Sequence, residues 1–283
     1  MKKHHHSSVV QRQRDGRRRS QRLVRRVLPF VASLFLATPL AGPLLKSSAH
    51  APATTMHRTA AIAATPLARF DATLRETYDR LGAEQQGLRF EVFQKAMTGY
   101  LNLRETGHLA ADQQHLTVVD FDLPSTEKRL WVLDLASDKI LFHTLVAHGH
   151  NSGENGASQF SNTNESNMSS LGFYVTGNEY EGKHGHSLRL QGVDEGFNTN
   201  AFARSIVMHG ADYVSEDFIK QNGRLGRSLG CPALPLDQYA QIIDQVKGGS
   251  CLFLSKSNAG YTSKYLNQDI ALAALSLKPA TNS

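Results

Sequence analysis

Three hydrophobic runs near the middle of the chain decide its fold class: Leu116-Thr-Val-Val-Asp-Phe121, Leu130-Trp-Val-Leu-Asp-Leu135 and Ile140-Leu-Phe-His-Thr-Leu-Val146. Each run is short, rich in β-branched and aromatic residues, and bounded by Asp, Ser, Pro or Lys, which is the pattern of a β-strand. Four more runs of this kind follow, at 172–176, 187–191, 205–209 and 251–255. Because helices do not alternate with these strands, the pattern favours an antiparallel sandwich or barrel over a parallel sheet.

Helical periodicity appears on the N-terminal side of the strands. Apolar residues recur three or four positions apart in two groups, first Leu67, Phe70, Leu74, Tyr78 and Leu81, then Phe90, Phe93, Met97 and Leu101. This spacing predicts two amphipathic helices, and glycines between the groups predict a hairpin. One more helix is predicted at 236–246. The expected fold class is therefore α+β: a mainly antiparallel β-sandwich or barrel preceded by a short helical hairpin.

The charges divide the chain into two unlike parts. Residues 1–51 hold 11 of the 31 basic residues and one of the 25 acidic ones, which leaves 20 basic and 24 acidic residues for 52–283. An acidic body argues against nucleic acid as a partner, because a domain that neutralises phosphates needs a basic surface. Two cysteines, Cys231 and Cys251, exclude a disulfide framework but leave one disulfide possible on count.

The basic N-terminus resembles an export signal. A positive run from Arg17 to Arg26 precedes nineteen uncharged residues, 27–45, and small residues follow in the spacing that signal peptidases cleave. An uncleaved anchor is the alternative, since about 20 apolar residues span a bilayer. Three prolines inside the run favour the signal. We therefore expect the protein in the periplasm or cell envelope, with membrane contact only if this segment is uncleaved.

The densest chemical signal is Arg227-Ser-Leu-Gly-Cys-Pro-Ala233. A cysteine between glycine and proline lies in a tight turn, where its own amide and that of Gly230 can point the same way as the thiol and form an oxyanion hole. A thiol nucleophile needs a base, and His209-Gly210 ends a predicted strand 22 residues upstream. Cys251 lies in an apolar strand and is read as core, so a bond between the two cysteines is not expected. A Gly-, Asn- and Ser-rich stretch at 149–170 is long enough to predict a functional loop.

These segments resemble the murein L,D-transpeptidase catalytic domain family (YkuD-like). The resemblance covers about 68–256 and is carried by three segments in order: Phe160-Ser-Asn162, Ser169-Ser-Leu-Gly-Phe-Tyr174 and Gly226-Arg-Ser-Leu-Gly-Cys-Pro232. It implies that Cys231 forms the acyl-enzyme, that His209 is its base, and that the amides of Gly230 and Cys231 form the oxyanion hole. Ser228, Arg227, Gly210, His148 and Ser170 are the predicted substrate-binding residues, and peptidoglycan stem peptides are the implied partner.

The chain departs from the broad family signature at two positions. Leu229 stands where that signature has a histidine, and Pro-Ala-Leu follows Cys231 without the arginine that many members carry. Arg227 is the cation nearest in sequence that can meet a substrate carboxylate. The segmentation implied is a signal or anchor at 1–51, a linker at 52–65, a helical subdomain at 66–112, a catalytic domain at 113–257 and a tail at 258–283.

Three alternatives to a transpeptidase remain open from the sequence. An L,D-carboxypeptidase passes the acyl group to water instead of an amine. The His-Gly-His segments at 148–150 and 184–186 have a spacing that zinc sites use, so a zinc-dependent envelope peptidase is an alternative, although no His-Glu-x-x-His occurs. A non-enzymatic wall-binding module would not need Cys231 and His209 together. The preferred reading expects no cofactor and no metal.

Overall fold

Eight strands form one mixed sheet in the computed structural model, which describes residues 65–183, 185–257 and 260–276. The strands run in the order β3-β2-β1-β8-β4-β5-β6-β7. Their bounds are β1 His115–Asp120, β2 Leu130–Asp134, β3 Lys139–Thr144, β4 Gly172–Gly182, β5 Gly185–Gly192, β6 Val207–Gly210, β7 Ala233–Leu234 and β8 Cys251–Ser255. After β3, the amide of Ala147 donates to the carbonyl of Ala233 in β7 at 2.9 Å, which brings the two edges of the sheet together. The sheet is therefore nearly closed.

The two-residue period of the strands gives the sheet two apolar faces. Along β1, Leu116 and Val118 belong to the core shared with the N-terminal helices, whereas Val119 belongs to the core inside the curved sheet. In β2, Trp131 and Leu130 are divided in the same way. All five side chains are fully buried. The predicted strands are confirmed. Successive residues along each of these two strands lie in different cores, so both faces of the sheet are apolar.

A helical layer covers one face of the sheet. Helix α1 spans Pro66–Arg80 and α2 spans Phe90–Glu105, which confirms the predicted hairpin. The hydroxyl of Thr65 accepts from the amide of Ala68 at 3.2 Å and so caps the start of α1. A last helix, α5 at Gln268–Ser276, packs against both. None of the helices in the described ranges combines the length and hydropathy needed to cross a membrane.

The structure refines the sequence-based prediction in several elements. Two neighbouring pairs of strands, β1 with β8 and β6 with β7, are parallel, and the other five pairs are antiparallel. Helix α4, predicted at 236–246, spans Tyr239–Val246, because the residues that follow Pro235 form a turn first. Helix α3 at Glu216–Asn222 and helix α5 were not predicted. The proposed signal or anchor at 1–51 and most of the linker lie outside the described residues, and the other segment boundaries stay predictions.

Candidate active site

The turn that carries Cys231 is held by the hydroxyl of Ser228. Ser228 Oγ donates to the carbonyl of Cys231 at 2.6 Å and accepts from the amide of Gly230 at 3.0 Å. Gly230 has φ +126°, and a Cβ there would lie 2.8 Å from both the Met168 carbonyl oxygen and Ile206 Cδ1. Only glycine fits this backbone conformation and this space. The Ser-x-Gly-Cys sequence thus fixes the position of the thiol.

Cys231 is half-buried, and its sulfur contacts backbone groups at the start of β6. The amide of Val207 donates to Sγ at 3.5 Å, and Sγ lies 3.8 Å from the carbonyl oxygen of Ser205. Burial raises the pKa of the thiol, while the Val207 amide and the charge of Arg204 oppose that rise. Because the net effect keeps the thiol protonated near neutral pH, a base is required to produce the thiolate nucleophile.

His209 lies in β6, whose neighbour β7 begins two residues after Cys231. Its Nδ1 is 2.9 Å from the carbonyl oxygen of Gly210. A carbonyl only accepts hydrogen bonds, so Nδ1 carries the proton of the neutral ring, and Nε2 is the nitrogen able to take one up. Gly210 was predicted to bind substrate, but in the structure its carbonyl orients His209. A Cβ at Gly210 would lie 2.7 Å from the ring of Tyr239, which explains the glycine.

Cys231 and His209 line one cleft of about 460 Å³. Ser228 and the exposed side chain of Leu229 also line it. Its other ionisable lining residues are Tyr180, Lys183, Arg204, Tyr213 and Arg227, so no carboxylate lines the cleft within the described residues. A basic cleft in an acidic domain is suited to a substrate that carries carboxylates.

The structure corrects the placement of two predicted substrate-binding residues. His148 is fully buried: Arg129 Nη2 donates to its Nδ1 at 2.8 Å, and its Nε2 donates to the carbonyl of Gly153 at 3.2 Å. Ser170 is also buried and does not line the cleft. Both side chains are bonded to arginines distant in sequence, and their substrate-binding role stays a prediction.

Arg227 lines the cleft as predicted, but its guanidinium already has partners. Nη1 donates to Glu154 Oε1 at 2.8 Å and to the carbonyls of Gly153 and His150 at 3.0 and 3.2 Å. Glu154 also pairs with Arg224 at 3.0 Å. Contact between Arg227 and a substrate carboxylate would therefore have to compete with Glu154, and that role stays a prediction.

The two amides predicted to form the oxyanion hole differ in their hydrogen bonds. No acceptor among the described residues receives the amide of Cys231, so this amide is available to an incoming oxygen. The amide of Gly230 donates to Ser228 Oγ at 3.0 Å. Gly230 joins the oxyanion hole only if that bond breaks, and its role stays a prediction.

Sequence reasoning missed Arg204, which lines the cleft beside the Gly230-Cys231 turn. Its Nη2 would lie 3.2 Å from a Cβ at Gly230. The missed signal is its position three residues before the start of β6, the buried strand that carries the predicted base. Cys251, in contrast, is fully buried in β8 as expected, and both cysteines are free.

The histidines considered as zinc ligands do not share a face. His148 is buried with both nitrogens engaged, whereas His150 is exposed. His184 lies outside the described residues. His186 has its Nε2 3.1 Å from Glu179 in a cluster with Asp244, and the ammonium of Lys247 already bonds both carboxylates at 2.9–3.0 Å. That lysine occupies the position a metal ion would need.

Comparison with known proteins agrees with the site. A family model described as L,D-transpeptidase catalytic domain matches residues 84–255. The match covers more than half of the chain, and the chain therefore belongs to this family, whose members are enzymes of the transpeptidase and peptidase kind. No match was found among curated proteins.

Solved structures resemble the chain more distantly. An L,D-transpeptidase from Mycobacterium smegmatis is 14% identical, with a TM-score of 0.33 over 50% of this chain and 58% of that one. The helical cell shape determining protein Pgp2 from Campylobacter jejuni is 14% identical, with a TM-score of 0.33 over 62% of each chain. An L,D-transpeptidase from Mycobacterium tuberculosis H37Rv is 13% identical, with a TM-score of 0.30 over 50% and 57%. The chain thus spans about three fifths of the length of these proteins, and the family assignment rests on the family model.

Proposed function

We propose that this chain is an exported cysteine L,D-transpeptidase that cross-links or remodels peptidoglycan stem peptides through a thioester acyl-enzyme. The observation that carries the proposal is one cleft lined by both Cys231 and His209, inside a domain of the L,D-transpeptidase family. Export is part of the proposal because peptidoglycan lies outside the cytoplasmic membrane, and the N-terminal sequence has the composition of a signal.

Acylation begins with proton transfer from Cys231 Sγ to Nε2 of His209. The thiolate attacks the carbonyl between the L-centre of the diamino acid and the terminal D-Ala of a stem tetrapeptide. The amide of Cys231 donates to the oxyanion of the tetrahedral intermediate. His209 returns its proton to the leaving D-Ala nitrogen, the C–N bond breaks, and a thioester remains on Cys231.

The second half-reaction decides the product. An amine from another stem peptide attacks the thioester, His209 accepts a proton from that amine, and the thiol leaves with a proton as a new amide bond forms. If water attacks instead, the product is a trimmed tripeptide, and the protein is an L,D-carboxypeptidase. The basic lining of the cleft suits the carboxylates of the acyl donor in both cases.

The test is mass spectrometry of tetrapeptide muropeptides incubated with the purified full-length protein. We expect cross-linked dimers that have lost one D-Ala, whereas tripeptides alone would indicate the carboxypeptidase. Cys231→Ala should abolish both products, and Cys251→Ala should retain them because Cys251 is buried away from the cleft.

Two results would contradict the proposal. Turnover that persists in Cys231→Ala would exclude this residue as the nucleophile. Activity that resists iodoacetamide but is lost with EDTA would favour the zinc peptidase.

A further inference from the structure

Arg204 holds the loop that lies against the nucleophile turn. Its Nη1 donates to Ser170 Oγ at 2.6 Å and to the Ser161 carbonyl at 2.7 Å. Its Nη2 donates to the Met168 carbonyl at 2.6 Å and to Ser166 Oγ at 3.0 Å. These four bonds satisfy both terminal nitrogens of the guanidinium. Arg204 therefore fixes both ends of the segment 161–170.

This segment is in turn attached to the turn of Cys231. Ser169 Oγ donates to the carbonyl of Gly230 at 3.3 Å. The Met168 carbonyl oxygen, which accepts from Arg204, would be 2.8 Å from a Cβ at Gly230. Hydrogen bonds and close packing thus connect the guanidinium to the residue that precedes the nucleophile.

The four acceptors are all neutral oxygens. Among the described residues, no carboxylate lies within the 4.0 Å of an ion pair with Arg204. The side chain is half-buried, and burial lowers its pKa. A partly desolvated charge without a counter-ion is unfavourable and is concentrated at functional sites in proteins. The other arginine of the cleft, Arg227, is neutralised by Glu154.

We propose that Arg204 is a positioning residue whose counter-ion is the thiolate of Cys231, formed during the reaction. It holds the nucleophile turn through the 161–170 segment. Its positive charge stabilises the thiolate relative to the thiol. The inference rests on the proposed function in taking Cys231 as the nucleophile. It goes further in assigning the electrostatic activation of the thiol to a residue outside the family motif.

Several other groups also face the thiol and enter its titration. On β6 and the loop after it these are the imidazole of His209 and the phenol of Tyr213. Burial raises the pKa of Tyr213 to about 12, so that phenol stays neutral in the working range. Across the cleft lie Tyr180 and Lys183, and on the cysteine's own loop lies the paired Arg227. Variants that leave all of these in place isolate the contribution of Arg204.

The experiment measures the pH midpoint of Cys231 alkylation by iodoacetamide in the full-length protein on a Cys251→Ala background. Ser166→Asp places a carboxylate next to Arg204 Nη2 and neutralises the guanidinium without removing it, whereas Ser166→Asn adds the same bulk without charge. We expect Ser166→Asp to raise the midpoint by about one pH unit relative to Ser166→Asn, which is the smaller end of the effect of one nearby charge. Arg204→Gln should raise it as much, and Lys139→Gln, which also removes one positive charge but at an exposed position of β3 outside the cleft lining, should not.

Equal midpoints for Ser166→Asp and Ser166→Asn, with both proteins folded by circular dichroism, would overturn the proposal. This comparison remains decisive if Arg204→Gln fails to fold. An equal rise in Lys139→Gln would also overturn it, because the effect would then reflect net charge alone. Alkylation requires no peptidoglycan, so this result is independent of whether the protein proves to be an L,D-transpeptidase.

Discussion

The chemistry of the cleft depends, at the scale of single residues, on which nitrogen of His209 carries a proton. The Gly210 carbonyl accepts from Nδ1 at 2.9 Å, so Nε2 is the nitrogen able to accept a proton from the thiol. A positioned general base contributes about 10²–10⁴-fold to a rate. We therefore expect His209→Ala to slow acyl-enzyme formation by about that factor, measured by intact mass after timed mixing with tetrapeptide.

The matched control for this prediction is His115→Ala at the start of β1, where the imidazole bonds Gln113 and lies outside the cleft lining. That variant should acylate at the wild-type rate. If His209→Ala acylates as fast as His115→Ala and keeps the same pH profile, His209 is not the base.

The sequence was sufficient to identify Cys231 and His209 as candidates because a local motif carries them. A Gly-Cys-Pro turn and a strand-ending His-Gly are readable within a few residues. The burial of His148 and Ser170 was not predicted, because their partners Arg129 and Arg204 are not connected to them by any local pattern. The hydrogen bond from the Gly230 amide to Ser228 Oγ was not predicted either, because it depends on the rotamer of Ser228.

At the scale of secondary-structure elements, the contact between α2 and β4 is unusually close. Gly99 lies inside α2, and a Cβ there would be 2.0 Å from Cζ of Phe173 in β4. Alanine normally stabilises a helix by about 1 kcal/mol relative to glycine. Here we expect Gly99→Ala to lower the free energy of unfolding by about 1–3 kcal/mol, because overpacking forces the helix away from the sheet.

Urea denaturation of Gly99→Ala, of Phe173→Leu and of the double variant measures this effect. The double variant should lose less free energy of unfolding than the two single variants lose together, since the smaller side chain removes the clash. Stabilisation by Gly99→Ala alone would show that α2 does not approach β4 this closely.

The elements that periodicity predicted are those with strong amphipathic patterns: α1, α2, α4 and seven of the eight strands. The two-residue β7 is too short to produce a pattern, and α3 has no buried residue in the structure. The parallel pairing of β1 with β8 joins residues far apart in the chain, such as Leu116 and Cys251. Strand composition indicates that a strand exists, but its neighbour depends on the path of the whole chain.

The pH dependence of stability is a property of the whole molecule, and His148 contributes to it in a known direction. Burial, followed by the charge of Arg129, lowers the pKa of His148 from 6.5 to about 4. Between these values the unfolded chain binds a proton that the folded protein does not, so stability falls as the pH decreases from 6.5 towards 4. This pKa difference contributes at most about 3 kcal/mol to the free energy of unfolding, and the contribution is fully present above pH 6.5.

We expect His148→Gln to be less stable than the wild type at pH 7 but to lose less stability between pH 7.0 and 5.0. Glutamine can still accept from Arg129 and donate to Gly153, and it does not titrate. Urea unfolding at the two pH values gives the difference in slope. Parallel losses in wild type and variant would mean that His148 titrates equally in the folded and unfolded states.

The place of β8 in the sheet has a consequence for how the protein is made. β8 is the last strand of the described residues, yet it lies between β1 and β4 in the middle of the sheet. Until residues 251–255 have been synthesised, β1 and β4 each have one edge whose backbone groups lack their strand partner. Topologies that depend on such distant pairings fold slowly. We therefore expect the sheet, and with it the wall behind the cleft, to be completed only after Cys251–Ser255 has been synthesised.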